Sequence, residues 1–112
     1  MNWEIIFYKT PSGQPVVQQF IDDLPEISRT RVTRNIDLLE QYGIQLGMPH
    51  ARPMGGGLLE LRVRGKQDVR VFYAFAKGQR IYLLHGFVKK QQTTPRREID
   101  VALKRKAEVE KL

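Results

Sequence analysis

Three runs of alternating apolar and polar residues, Leu58–Arg64, Val69–Phe75 and Arg80–Val88, follow one another with only Gly65-Lys66-Gln67-Asp68 and Lys77-Gly78-Gln79 marking the breaks. Alternation of this kind is the mark of strands with one face buried. Connections this short admit only hairpins, because a parallel crossover takes a dozen residues or more. The C-terminal half therefore contains an antiparallel meander. Its alternation also sorts side chains by face. Leu59, Leu61 and Val63 point one way and leave Glu60, Arg62 and Arg64 on the other, while Val69, Val71, Tyr73 and Phe75 leave Arg70 and Phe72 facing away from them. Arginines from two adjacent strands are thus expected to share one surface.

The N-terminal half reads differently. Trp3–Tyr8 is β-branched and aromatic and stops at the turn cluster Lys9-Thr10-Pro11-Ser12-Gly13, which predicts a first strand. After Pro15, the residues Val17, Phe20, Ile21 and Leu24 recur at helical spacing. Beyond Pro25, the stretch from Glu26 to Gln41 places Val32, Ile36 and Leu39 inward and Arg29, Arg34, Asp37 and Glu40 outward, closing at Gly43. The two helices form a hairpin. Residues 43–57 hold five glycines and two prolines and read as a loop. Thr94-Pro95 opens a last helix with Ile99, Ala102, Leu103 and Lys106 on one face. The order β-α-α-β-β-β-α describes one α+β domain over residues 1–112, with the helical hairpin packed on one face of an antiparallel sheet and the other face open.

Charge is segregated along this order. Residues 1–60 hold five Lys/Arg against seven Asp/Glu, a balance of −2, whereas residues 61–112 hold fourteen against five, a balance of +9. Such a field favours a polyanion or an acidic protein partner. With no cysteine and two histidines, the chain offers no thiolate chemistry and no histidine-rich metal site, so no metal and no cofactor are expected. Met1–Thr10 lacks a basic flank before a long apolar run, and no stretch approaches the roughly 20 apolar residues of a membrane span. A cytoplasmic protein without membrane attachment is expected. Among residues able to move protons or stack on bases, His85 shares the alternation phase of Ile81, Leu83 and Phe87, which favours a core position. His50, in the Met-Pro-His-Ala-Arg-Pro loop, is either a plain loop residue or one that reaches the open face. Tyr73 and Tyr82 are stacking or core residues, and Phe72 on the arginine face is the better stacking candidate.

The segments Gly57-Leu58-Leu59-Glu60-Leu61-Arg62, Val69-Arg70-Val71-Phe72-Tyr73 and Leu83-Leu84-His85-Gly86-Phe87-Val88-Lys89-Lys90, followed by Thr94-Pro95 and a helix with Glu98, together resemble the phage-derived RelE/HigB-like toxins. The resemblance covers nearly the whole chain. It implies a RelE-like fold and a metal-independent endoribonuclease (an mRNA interferase) that cuts messenger RNA in the ribosome by attack of a ribose 2′-OH on the adjacent phosphate. It further implies a cognate antitoxin, often of helix-turn-helix type; the +9 charge of the second half adds the expectation that an acidic, partly disordered antitoxin segment covers the Arg62/Arg70 surface or displaces the last helix. Carried over by motif, Arg70 would bind the scissile phosphate and Arg62 would add charge stabilisation. Lys89 or Lys90 would hold the backbone or shuttle a proton. Arg64, Phe72, Lys104, Arg105 and Lys106 would supply further RNA contacts. Some relatives carry a tyrosine in the last helix, but Thr94–Leu112 has none, so the general base stays open, with His50 as a candidate. Relatives of this fold that inhibit DNA gyrase, and an inactive antitoxin-binding or nucleic-acid-binding module, are the alternatives.

Overall fold

A computed structural model describes residues 2–112; Met1, the first residue of the expected domain, lies outside the described residues. The elements run β1 (Glu4–Phe7), α1 (Val16–Asp22), α2 (Glu26–Tyr42), a short 3-10 turn (Gly43–Gln45), β2 (Ala51–Gly55), β3 (Leu58–Val63), β4 (Val69–Ala76), β5 (Arg80–Val88) and α3 (Arg96–Glu110). The expected meander is present: β3 and β4 pair antiparallel with Leu61 opposite Val71, and β4 and β5 pair antiparallel with Tyr73 opposite Leu83.

Two features of the sheet depart from expectation. β1 pairs parallel with β5, which makes a five-stranded mixed sheet of order β1-β5-β4-β3-β2. The glycine-rich segment read as a loop contains an edge strand, β2, antiparallel to β3. An edge strand pairs on one side only, so it tolerates Pro53 and the register shift between Pro53 and Gly55. Gly55, Gly56 and Gly57 then turn the chain into β3 with φ of 91°, 64° and 80°, a left-handed run that residues with a Cβ resist.

One face of the sheet meets the helical hairpin. Val17, Ile21, Val32, Ile36 and Leu39 pack on Leu61, Val63, Val69, Val71, Tyr73, Ile81 and Leu83. The ring of Phe20 lies so close to Gly86 that a Cβ there would stand 2.5 Å from it, so the glycine is what lets α1 dock on β5. The opposite face is open at one end only. α3 lays Ile99, Ala102, Leu103 and Val109 over Leu58, Phe72, Ala74, Tyr82, Leu84 and Phe87, because its apolar stripe has no other surface to bury against.

A bulge at Leu84 re-phases β5. Tyr73 faces Leu83 but Phe72 faces His85, so Leu84 is the extra residue. Before it, Ile81 and Leu83 face the hairpin and Tyr82 faces α3; after it, His85 and Phe87 face α3 and Gly86 faces the hairpin. The shared phase of Ile81, Leu83, His85 and Phe87 expected from alternation is therefore broken. Among the described residues, no helix is long and apolar enough to cross a membrane.

Candidate functional site

α3 starts at Arg96, eight residues after β5 ends at Val88, and that delay leaves one end of its sheet face uncovered. The uncovered end is a hollow of about 710 Å³. β3 contributes Arg62, the position just past its end contributes Arg64, β4 contributes Arg70, and β2 contributes Arg52. Lys89, Lys90, Gln91 and Gln92 come from the connection to α3, and Asp68 is the one carboxylate of the lining. Arg62 and Arg70 are opposite one another in the ladder. The structure thus brings together five of the expected residues, Arg62, Arg64, Arg70, Lys89 and Lys90.

Their electrostatic states differ sharply. Arg70 is 1% exposed, and all three guanidinium nitrogens donate: Nε and Nη2 to the two oxygens of Asp68 at 2.8 and 3.0 Å, and Nη1 to Glu60 Oε1 at 2.9 Å. Burial works against its charge, but the Asp68 hydrogen bonds and the Glu60 charge outweigh it and push the Arg70 pKa up. The same hydrogen bonds hold the Asp68 carboxyl below the usual carboxylate range. Glu60 is fully buried, and its second oxygen accepts from Thr94 Oγ1 at 3.1 Å, which ties the approach to α3 into the pair.

Arg62 has no such partner. Among the described residues, its Nη1 reaches only Met48 Sδ at 3.5 Å, a weak acceptor, and its buried Nε has no hydrogen-bond partner. Burial first, and then the charges of Arg70 and Arg64, pull its pKa down. A cation in that state gains from any anion entering the hollow. α2 steadies the strand end from behind: Asn35 Nδ2 donates to the Arg62 carbonyl at 3.1 Å, and Ser28 Oγ donates to Gln67 Oε1 at 2.9 Å. The Lys89 amide donates to the Asp68 carbonyl at 2.7 Å, so Asp68 fixes both the Arg70 fork and the start of the Lys89–Lys90 segment.

The other expected residues lie elsewhere. His50 is half-buried and touches the site through its backbone, its carbonyl accepting from the Arg62 amide at 2.7 Å, while its side chain does not line the hollow. Phe72 has no exposed surface and stacks obliquely on Phe87 with ring centres 5.5 Å apart, so it is a core residue under α3 and no nucleobase reaches it in this arrangement. Tyr73 is buried too, and burial pushes its hydroxyl up to about 12. His85 joins the α3 face rather than the hairpin core, with Nε2 2.7 Å from Glu98 Oε1.

The basic cluster of α3 points away from the hollow. Arg105 donates to the Leu84 carbonyl at 3.0 Å and covers the Tyr8 ring, whose hydroxyl donates to Glu108. Lys106 pairs with Glu110 at 2.6 Å beside Gly57, and only Lys104 of the three is exposed. Reading by alternation missed Arg52, because its strand was taken as loop. It also missed the role of Asp68, whose position two residues before Arg70 at the turn was the available signal. Among the described residues, no three His, Asp or Glu side chains converge as a metal-ligand set.

Residues 19–107 match the family model described as Phage derived protein Gp49-like (DUF891). Two relatives described as probable endoribonuclease HigB1, from Mycobacterium tuberculosis strains CDC 1551 / Oshkosh and ATCC 25618 / H37Rv, are each 33% identical over 106 residues, spanning 93% of this chain and 81% of their own length. With a match across most of the sequence and the fold just described, this chain belongs to the phage-derived Gp49-like family of RelE/HigB-like toxins.

Proposed function

We propose that this chain is the toxin of a type II toxin–antitoxin pair and cuts messenger RNA in the ribosome without a metal ion. The observation that carries this reading is the cationic hollow, with an underpaired Arg62 set beside a fully paired Arg70. In the reaction, a ribose 2′-hydroxyl gives up its proton to water, its oxygen attacks the neighbouring phosphorus and the bond to the 5′-oxygen breaks. The products are a 2′,3′-cyclic phosphate and a 5′-hydroxyl. The intermediate phosphorane carries added negative charge, and a donor already aimed at it lowers the barrier.

Arg62 fills that role better than Arg70. The fork of Arg70 is occupied by Asp68, and withdrawing it would leave the buried Glu60 uncompensated. Arg70 is then a positioning residue that sets the height of the Glu60–Asp68 floor beneath the phosphate. Arg52, Arg64 and Lys90 are exposed and take flanking phosphates, and an ammonium from Lys89 or Lys90 protonates the leaving oxygen. An acidic segment of the antitoxin, entering the same hollow, would silence the toxin by occupying Arg62.

The test is brief induction of the protein in cells, followed by mapping of RNA 5′ ends. New ends inside translated messages are expected. Purified Arg62→Ala should cleave about 10²- to 10³-fold more slowly on intact ribosomes while keeping its melting temperature, the size of effect seen when one transition-state donor is lost. Unchanged RNA ends together with gyrase-dependent DNA breaks would replace this reading with the gyrase one.

A further inference from the structure

The solvent side of α2 next to the hollow plays no part in the reading above. Ile27, Thr30, Arg31 and Arg34 fall at i, i+3, i+4 and i+7 and are all exposed, forming one stripe along the helix. Arg31 lies against the wall of the hollow. Its Nη1 donates to the Arg64 carbonyl at 3.3 Å, and its Cδ is 3.2 Å from where a Cβ on Gly65 would stand. Arg64 and Gly65 both line the hollow, so the stripe begins where the hollow ends. Arg34 follows one turn on, and with Thr30 it borders two shallow depressions of about 310 and 360 Å³, whose far rims carry Glu26 and Asp37 respectively. Neither Arg31 nor Arg34 forms an ion pair among the described residues.

α3, the more basic helix by sequence, offers less. Arg96, Arg97 and Lys106 are paired with Asp100, Glu98 and Glu110, Arg105 is spent on the Leu84 carbonyl and the Tyr8 ring, and the exposed Lys104 lies about 12 Å along the axis from the end near the hollow.

Resting on the reading of the hollow as the RNA-cleaving site, the geometry points to the Arg31/Arg34 stripe of α2 as a track for the RNA phosphates on one side of the scissile bond. Guanidinium groups meet phosphate oxygens through paired N–H donors, and the Thr30 and Thr33 hydroxyls add neutral donors between them. An acidic peptide fits this stripe less well, because a docked amphipathic helix needs several apolar anchors and the stripe offers Ile27 alone.

The test is binding of the full chain to uncleavable 2′-O-methyl RNAs of about four and about sixteen nucleotides, read by fluorescence anisotropy at several salt concentrations. The wild type should bind the long RNA more tightly. Arg31→Ser with Arg34→Ser should weaken long-RNA binding about tenfold near 0.1 M salt and flatten its salt slope by about 1.4, since each phosphate contact on a single strand contributes about 0.7. Short-RNA binding should hold. Arg34→Ser alone, which touches nothing in the hollow, should give about half of that slope change. Equal wild-type affinity for both lengths, or unchanged long-RNA binding in the double variant, would overturn the track. Loss of binding to a glutamate-rich peptide with RNA binding intact would overturn it too, in favour of an acidic protein partner. If Arg62→Ala fails to weaken the short RNA, the reading of the hollow itself is what has failed.

Discussion

The two faces of the sheet share strands β3, β4 and β5 yet are built on different terms. Toward the helical hairpin, Leu61, Val63, Val69, Val71, Ile81 and Leu83 are each no more than 2% exposed, and among the described residues the buried charges, Glu60 and Arg70, both lie on the other face. Toward α3, the rows nearest the β4–β5 turn are apolar, with Leu58, Ala74 and Tyr82, but the rows at the other end carry Glu60, Arg62, Arg70 and His85. A face covered along its whole length can be purely apolar. A face covered along part of its length has a border where charge meets core, and there each buried charge needs a partner held in place. Arg70 has two, and Arg62 is left wanting one. The capacity to bind an anion resides in that imbalance.

The largest expected effect tests the border directly. Glu60→Ala should destabilise the protein by about 3–5 kcal/mol in denaturant titration, the usual result of removing one partner from a buried ion pair. Asp68→Ala, whose carboxylate is 40% exposed, should cost about 1 kcal/mol or less because solvent replaces what is lost. Equal costs for the two would break the distinction between a buried and a border partner. The intermediate effect probes the hairpin face. The Tyr73 hydroxyl is buried there without a hydrogen-bond partner among the described residues, so Tyr73→Phe should stabilise by about 1 kcal/mol in the same titration. A loss of stability instead would show that this face, too, satisfies a polar group.

The smallest effect is a pH slope. Burial lowers the His85 pKa, against the pull of Glu98 and with the Arg105 charge adding to the lowering. The unfolded chain, with an imidazole near the ordinary value of about 6.5, therefore binds the proton first as pH falls. The stability associated with neutral His85 is complete above that pH and is lost below it. Melting temperatures between about pH 7.5 and 5.5 should fall for the wild type and fall less for His85→Gln. Asp68 stays ionised throughout this window, because Arg70 holds its carboxyl below the carboxylate range, and it adds no slope of its own.

The three hairpin strands and the helical hairpin were readable because each carries its own period, and periods are local. The parallel pairing of β1 with β5 was not, since nothing in Trp3–Tyr8 names its neighbour. β2 was hidden by Pro53 and three glycines, residues that an edge strand and its turn accept and a central strand would refuse. The apolar stripe of α3 was visible in Ile99, Ala102 and Leu103, but where it would settle was not, so Phe72 looked available. Alternation placed Glu60, Arg62 and Arg70 on one face correctly. It carried no information on which arginine the carboxylates would claim, because that depends on the reach of Asp68 around the turn.

The extra residue at Leu84 makes β5 a counting device. Upstream of it, even-numbered side chains look toward α3; downstream, odd-numbered ones do. Loss of one residue between Tyr82 and His85 would restore regular pairing without changing which neighbours the outer residues meet. It would also remove the slack that spaces Tyr82 from His85 along β4, and with it the Leu84 carbonyl that anchors Arg105. Gain of one residue downstream would swap Gly86 and Phe87 between faces, driving a side chain into the Phe20 ring and turning Lys89 and Lys90 to the other side. Among homologues, then, substitutions should accumulate along β5 far more readily than length changes, and an alignment gap inside Tyr82–Val88 should coincide with a rebuilt hollow.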